Sequence, residues 1–194
     1  MSDAPVPDSI SEQLADHVAT ARAVAELLPA VREVAELLVQ AYENDRVLYT
    51  LGNGGSAADA QHLTGELIGR YKRERRPLAA VTLTTDPTVM TCIANDYSYA
   101  DVFARQVTAL ARPGDMVVAF TTSGRSPNVV AALEAAQQRG ATTVLFGGGD
   151  GGPAKEFADH ALIVPSRSIP RIQEMHTFML HVISEIVDAW AAGE

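Results

Sequence analysis

Five short runs of this chain are apolar almost from end to end, at 46–51, 78–83, 116–120, 142–146 and 161–164. A strand with one wet face alternates apolar and polar residues, and these do not, so each is expected to be covered on both sides. The stretches between several of them, at 57–69, 100–111 and 128–139, read as helices, and a long last helix is expected over 171–191. Strands separated by helices specify a parallel sheet. The expectation is a three-layer α/β sandwich built on a five-stranded parallel sheet. Two helices precede the first strand: Ile10, Leu14, Val18, Ala21, Val24, Ala25 and Leu28 fall at helical spacing, Pro29 interrupts, and Val31, Val34, Leu38 and Tyr42 resume it. Residues 1–8 read as a disordered leader and residues 9–194 as a single domain.

Composition narrows the function classes. With 24 acidic and 15 basic residues the formal net charge is −9, which argues against nucleic acid or an anionic membrane surface as partner. No apolar run approaches the roughly 18 residues needed to cross a bilayer, and the N-terminal stretch lacks the basic-then-apolar order of a signal peptide. A cytoplasmic setting is expected. The single cysteine, Cys92, allows no internal disulfide and no thiolate cage for zinc. Its apolar neighbours suggest burial.

Two loops stand where ligands bind in such sheets, at the carboxyl ends of strands. The first is Gly52-Asn53-Gly54-Gly55-Ser56. Glycines allow close backbone approach, a helix N-terminus offers free N–H groups to an anion, and Asn53 and Ser56 add hydrogen-bonding side chains. The stretch also fits the loose dinucleotide pattern G-x-G-x-x-A, but the region where a ribose-binding acid should lie is basic. No Gly-Lys-Ser/Thr follows, so it is not a Walker loop. A tight turn without a ligand is the plain alternative. The second loop, Thr121-Thr122-Ser123-Gly124-Arg125-Ser126 before Pro127, gathers hydroxyls at a helix start. Together the loops favour a phosphorylated small molecule.

His62 and Glu66 are four residues apart on the helix after the first loop, and so share a face. Gln173 and His181, eight apart on the last helix, project to broadly similar sides, with His176 a further candidate. Two imidazoles and a carboxylate suit zinc. An exposed helix pair and a core histidine are the plain readings of the same residues. Arg70, Lys72, Arg73, Arg75 and Arg76 read as a solvated basic face, or else as a surface steering an anion or touching another subunit. Asn95-Asp96-Tyr97 is a turn in which Asp96 could accept from a sugar hydroxyl, and the glycine-rich run 147–152 reads as a flexible loop.

Taken together, Leu51-Gly-Asn-Gly-Gly-Ser56, Asp59-Ala-Gln-His62 with Glu66 and Gly69-Arg-Tyr71, Ala94-Asn-Asp96, Thr122-Ser-Gly124 and Arg171-Ile-Gln-Glu-Met-His176 with His181 resemble the phosphoheptose isomerases of the sugar isomerase (SIS) domain family. The resemblance spans nearly the whole chain. It implies a flavodoxin-like strand order, a homotetramer with interfacial active sites, and conversion of sedoheptulose 7-phosphate to D-glycero-D-manno-heptose 7-phosphate, the first step of nucleotide-activated heptose synthesis. It also implies zinc on His62, Glu66, Gln173 and His181, with Glu66 and His181 in proton transfer. Phosphate contacts fall on Ser56, Thr121, Ser123 and Ser126, and other substrate contacts on Asn53, Gly54, Asp96, Thr122 and Gln173. Thr121 stands where Ser is frequent, which keeps the hydroxyl and adds a methyl. Non-catalytic relatives, such as sugar-phosphate sensors and the replication-initiator-associating proteins, are the alternative. The latter typically lack the counterparts of Glu66 and His181, which this chain has.

Overall fold

The computed structural model describes residues 10–193, so the expected leader at 1–8 lies outside the described residues. Two helices, α1 (Ile10–Ala23) and α2 (Leu28–Glu43), are joined by a 3-10 turn over Val24–Leu27. Pro29 sits in the first turn of α2, where its missing N–H is no loss. The chain then runs β1 (Leu48–Gly52), α3 (Gly55–Ile68), β2 (Ala80–Thr82), α4 (Pro87–Asp96), α5 (Ala104–Leu110), β3 (Met116–Phe120), α6 (Pro127–Gln138), β4 (Thr142–Gly148), β5 (His160–Val164) and α7 (Ile169–Ala192). All pairings are parallel, in the order β2-β1-β3-β4-β5. That is the flavodoxin-like order, and it reverses direction at β1.

Alternate residues of the strands fill two cores. Leu48, Met116, Val118, Phe120, Val144 and Phe146 face α2, α3 and α7. Tyr49, Leu51, Val117, Ala119 and Leu145 face α5 and α6. The central strands β1 and β3 are buried along their whole length, as their uninterrupted apolar runs demand. The polar exception, Thr50, shares its hydroxyl with Thr64 and Thr82, each 2.9 Å away, and donates to the Ala60 carbonyl at 2.9 Å. A buried hydroxyl cluster without such partners would be costly.

Three local expectations change. The second strand is shorter than 78–83, because the Leu78 amide donates instead to the Leu67 carbonyl at the end of α3. The helix expected over 100–111 opens as a separate 3-10 turn, Tyr99–Asp101, because Ser98 accepts from the Ala100 amide and donates to Asp101. The glycine run is no loose loop. Gly147 and Gly148 belong to β4, and Gly152 lies against the backbone of Ser123 and Gly124 so closely that neither Gly124 nor Gly152 has room for a side chain. Both have positive φ, 64° and 55°, which only glycine adopts freely.

Candidate active site

All five strands end at one edge, and both glycine- and hydroxyl-rich loops open there, on either side of the point where strand order reverses. Reciprocal amides latch the two loops together. Asn53 Nδ2 donates to Asn128 Oδ1, and Asn128 Nδ2 donates to Asn53 Oδ1, each at 2.9 Å. Tyr99 adds a third strut by donating its hydroxyl to Asn53 Oδ1 at 2.9 Å. Neither Asn128 nor Tyr99 stands out in the sequence, because each matters only through a partner many residues away.

Two hydroxyls of the second loop are already used as acceptors. Thr121 Oγ1 accepts from the Gly124 amide at 3.2 Å and Ser123 Oγ from the Arg125 amide at 3.2 Å. An oxygen that accepts from the backbone keeps its proton for an anion. Ser126 is the N-cap of α6, yet its side chain makes no capping bond. Ser56 is buried in the first turn of α3. Beside the second loop lies a cleft of about 370 Å³, walled by Thr122 and Ser123 on one side and Ser166, Arg167, Ile169 and Ile172 on the other. Arg125 and Asp150 form an ion pair of 2.7 Å on its lining. Asp96 ends α4 in an exposed position, where its carboxylate accepts from Asn95. Cys92, expected to be buried, is exposed, because α4 has no buried residue.

Helices α3 and α7 run parallel and in register. Thr177 donates to Asp59 at 2.9 Å, a separation of 118 residues, and His181 meets His62 at a separation of 119. One turn before Thr177, the amide of Gln173 lies over Gly55 so closely that any side chain there would displace it. Where α3 and α7 carry imidazoles and a carboxylate, three groups converge. His62 Nε2 lies 3.0 Å from Glu66 Oε1 and 3.2 Å from His181 Nε2, and all three groups offer donor atoms within 4.8 Å of one another. The two imidazole rings meet edge to face, with centroids 4.8 Å apart.

Burial lowers the pKa of His181 and the neighbouring His62 lowers it further, against the opposing pull of Glu66. Burial raises that of Asp59, while the Thr177 hydroxyl and His62 oppose the rise. Asp59 Oδ2 is buried without a hydrogen-bond partner. His176, the further candidate on α7, is elsewhere: it is fully buried, edge to face with Phe120 and Phe146, with Nε2 3.1 Å from the Gly147 carbonyl.

The basic run is exposed at Arg70, Lys72 and Arg76, as a solvated face would be, but not at Arg75. Arg75 is buried, with Nε 3.1 Å from Asp188 Oδ1 and its other nitrogens on the carbonyls of Glu66, Leu67 and Gly69.

The fold with this edge defines a class, the SIS domain, whose family model matches residues 14–148. Within that class the chain belongs to the phosphoheptose isomerase family. It is 46% identical over 185 residues to the phosphoheptose isomerase of Trichlorobacter lovleyi, covering 95% of this chain and 94% of the relative. The solved phosphoheptose isomerase of Neisseria gonorrhoeae superposes with a TM-score of 0.88 at 38% identity, covering 93% of this chain and 97% of the other. That of Francisella tularensis gives 0.90 at 34% identity, with the same coverages. Among the described residues no helix is long and apolar enough to cross a membrane.

Proposed function

We propose that this chain interconverts sedoheptulose 7-phosphate and D-glycero-D-manno-heptose 7-phosphate as a zinc-dependent ketose–aldose isomerase, at the head of nucleotide-activated heptose synthesis. The observation that carries the reading is the meeting of His62, Glu66 and His181 at one point, from helices more than a hundred residues apart.

The donor set fits zinc. Zinc takes imidazole nitrogens and carboxylate oxygens as ligands, and the candidate ligand atoms of His62, Glu66 and His181 lie within 4.8 Å of one another. Gln173 is the candidate fourth ligand, on the α7 face toward α3. When bound, zinc supplies Lewis acidity that polarises a carbonyl and offsets the charge developing on its oxygen.

The residues supply the rest. Isomerisation needs a proton removed from the carbon beside the carbonyl and returned to its neighbour. Glu66 presents Oε1 to His62, which leaves Oε2 to take that proton. His181 relays the oxygen proton, and a lone pair that it gave to the ion would be unavailable for that role. The hydroxyls of Ser56, Thr121, Ser123 and Ser126, with Thr122, hold the phosphate, and Asn53, Gly54, Asp96 and Gln173 the sugar. Binding energy from the remote phosphate fixes the register of the reacting carbons. The assembly is a cytoplasmic homotetramer with sites at subunit boundaries, a reading supported by the family resemblance.

The test is incubation with sedoheptulose 7-phosphate before and after exhaustive chelation, with zinc add-back and product analysis. The aldose heptose phosphate is expected only with metal present. Full turnover after metal removal would overturn the zinc assignment, and no aldose from the zinc-loaded protein would overturn the substrate.

A further inference from the structure

The alignment of α3 with α7 continues past the three converging side chains into the segment that follows α3. Two turns after His181, Asp188 is 1% exposed and accepts from three successive backbone amides: Tyr71 at 3.3 Å, Lys72 at 3.1 Å and Arg73 at 2.8 Å. The separation at Tyr71 is 117 residues, nearly the same as at the rungs above. A carboxylate folded into three N–H groups is a fixed anchor. Burial alone would raise its pKa, yet these amides and Arg75 hold it below the ordinary range.

Arg75 completes the clasp. Its Nε meets Asp188 at 3.1 Å, while Nη2 donates to the Glu66 carbonyl at 2.6 Å and Nη1 to those of Leu67 and Gly69 at 2.8 and 3.1 Å. The carbonyls at the end of a helix have no partners within it, and here one guanidinium takes several at the end of α3. One of them belongs to Glu66 itself. Tyr71, held by Asp188, places its ring 5.8 Å from the His181 ring. The clasp therefore joins the backbone of one converging residue to the helix and ring environment of another. On the N-terminal side the Asp59–Thr177 bond closes the same interface.

We propose that Asp188 and Arg75 are positioning residues that hold α3 and α7 in register, so that His62, Glu66 and His181 are preassembled to take a metal ion. The inference rests on the zinc reading for its chemistry, but preassembly itself is a statement about this chain alone. Outer partners that fix ligand orientation typically contribute 10- to 100-fold in metal affinity.

Two arms separate the claims, both on the full chain with Asp188→Asn, the milder Arg75→Lys, and Asp115→Asn as control. Asp115 is likewise a buried carboxylate accepting from backbone amides, those of Val47 and Arg112, where β1 and β3 begin. The first arm is NMR of the imidazoles in metal-free protein. The ring-to-ring contact between His62 and His181 should persist in wild type and Asp115→Asn, and weaken or vanish in Asp188→Asn and Arg75→Lys. The second arm is titration with cobalt(II), followed by its visible spectrum, in which the two clasp variants should bind roughly 10- to 100-fold more weakly than wild type and the control. Should Asp188→Asn fail to fold, Arg75→Lys carries both readouts. An unchanged ring contact in a folded clasp variant overturns the proposal, as does an equal loss in Asp115→Asn. If wild type binds no cobalt, the metal reading falls and the ring contact still decides the preassembly.

Discussion

The two faces of the sheet are both well packed, yet they are built from different materials. Against α5 and α6 the filling is largely alanine, valine and leucine, with Tyr49 and Phe103. Against α3 and α7 a larger apolar core also carries a threonine cluster, the buried His176, the Asp59–Thr177 bond and the Arg75–Asp188 ion pair. Buried polar groups contribute little net stability and are costly when broken. The α5–α6 face therefore rests mainly on apolar filling, while the α3–α7 face adds polar contacts whose return is fixed geometry more than stability. The converging side chains sit on the second.

Substitutions on the two faces should accordingly fail in different ways. The largest effect is expected from Glu66→Gln, which should lower kcat by about 10²–10⁴-fold while sugar-phosphate binding stays measurable by calorimetry. A near-normal rate would leave the α3–α7 face with no catalytic base. On the other face, Leu133→Ala removes a fully buried side chain and should cost about 2–5 kcal/mol in denaturant unfolding, with kcat of the folded enzyme little changed. A loss of activity without a loss of stability would break the comparison.

His176 gives a pH test of the polar face. Burial pushes its pKa down from 6.5 to about 4, although the Gly147 carbonyl pulls upward. Between those values the unfolded chain holds the extra proton, so stability rises with pH across that window. The contribution is fully present above pH 6.5 and is lost as the solution is acidified toward pH 4. It amounts to on the order of 3 kcal/mol. The unfolding free energy of His176→Gln, measured against pH beside wild type, should lack that component, and parallel profiles would count against it. The smallest effect is expected at the loops. Ser123→Ala should raise KM several-fold, about 1 kcal/mol for one hydrogen bond, with kcat nearly constant. An unchanged KM removes Ser123 from the phosphate contacts.

Much of this architecture can be read from residue order, and the reasons for the remainder are specific. The strands of the sheet centre are legible because burial on both faces leaves an unbroken apolar run, whereas the edge strand β2 is short because Leu78 spends its amide on α3. The His62–Glu66 pair follows from helical spacing alone. Its meeting with His181 does not follow from spacing, and was expected only through family resemblance, since the register of α3 against α7 is a tertiary fact. Within the basic run, Arg75 misleads for the same reason. Nothing near Arg75 in sequence shows that its carboxylate partner lies 113 residues onward. Cys92 misleads in the opposite sense: its neighbours are apolar, but the helix bearing them lies at the surface.

The mutual amide bonds of Asn53 and Asn128 have a consequence for how a ligand is received. Two loops that would otherwise wander are tied before anything arrives, so their conformational entropy is lost on folding and not on association. A phosphosugar entering this edge meets a rim already in shape. Cutting the tie, for instance with Asn128→Ala, should show itself as slower and more variable capture, with the chemistry that follows left intact.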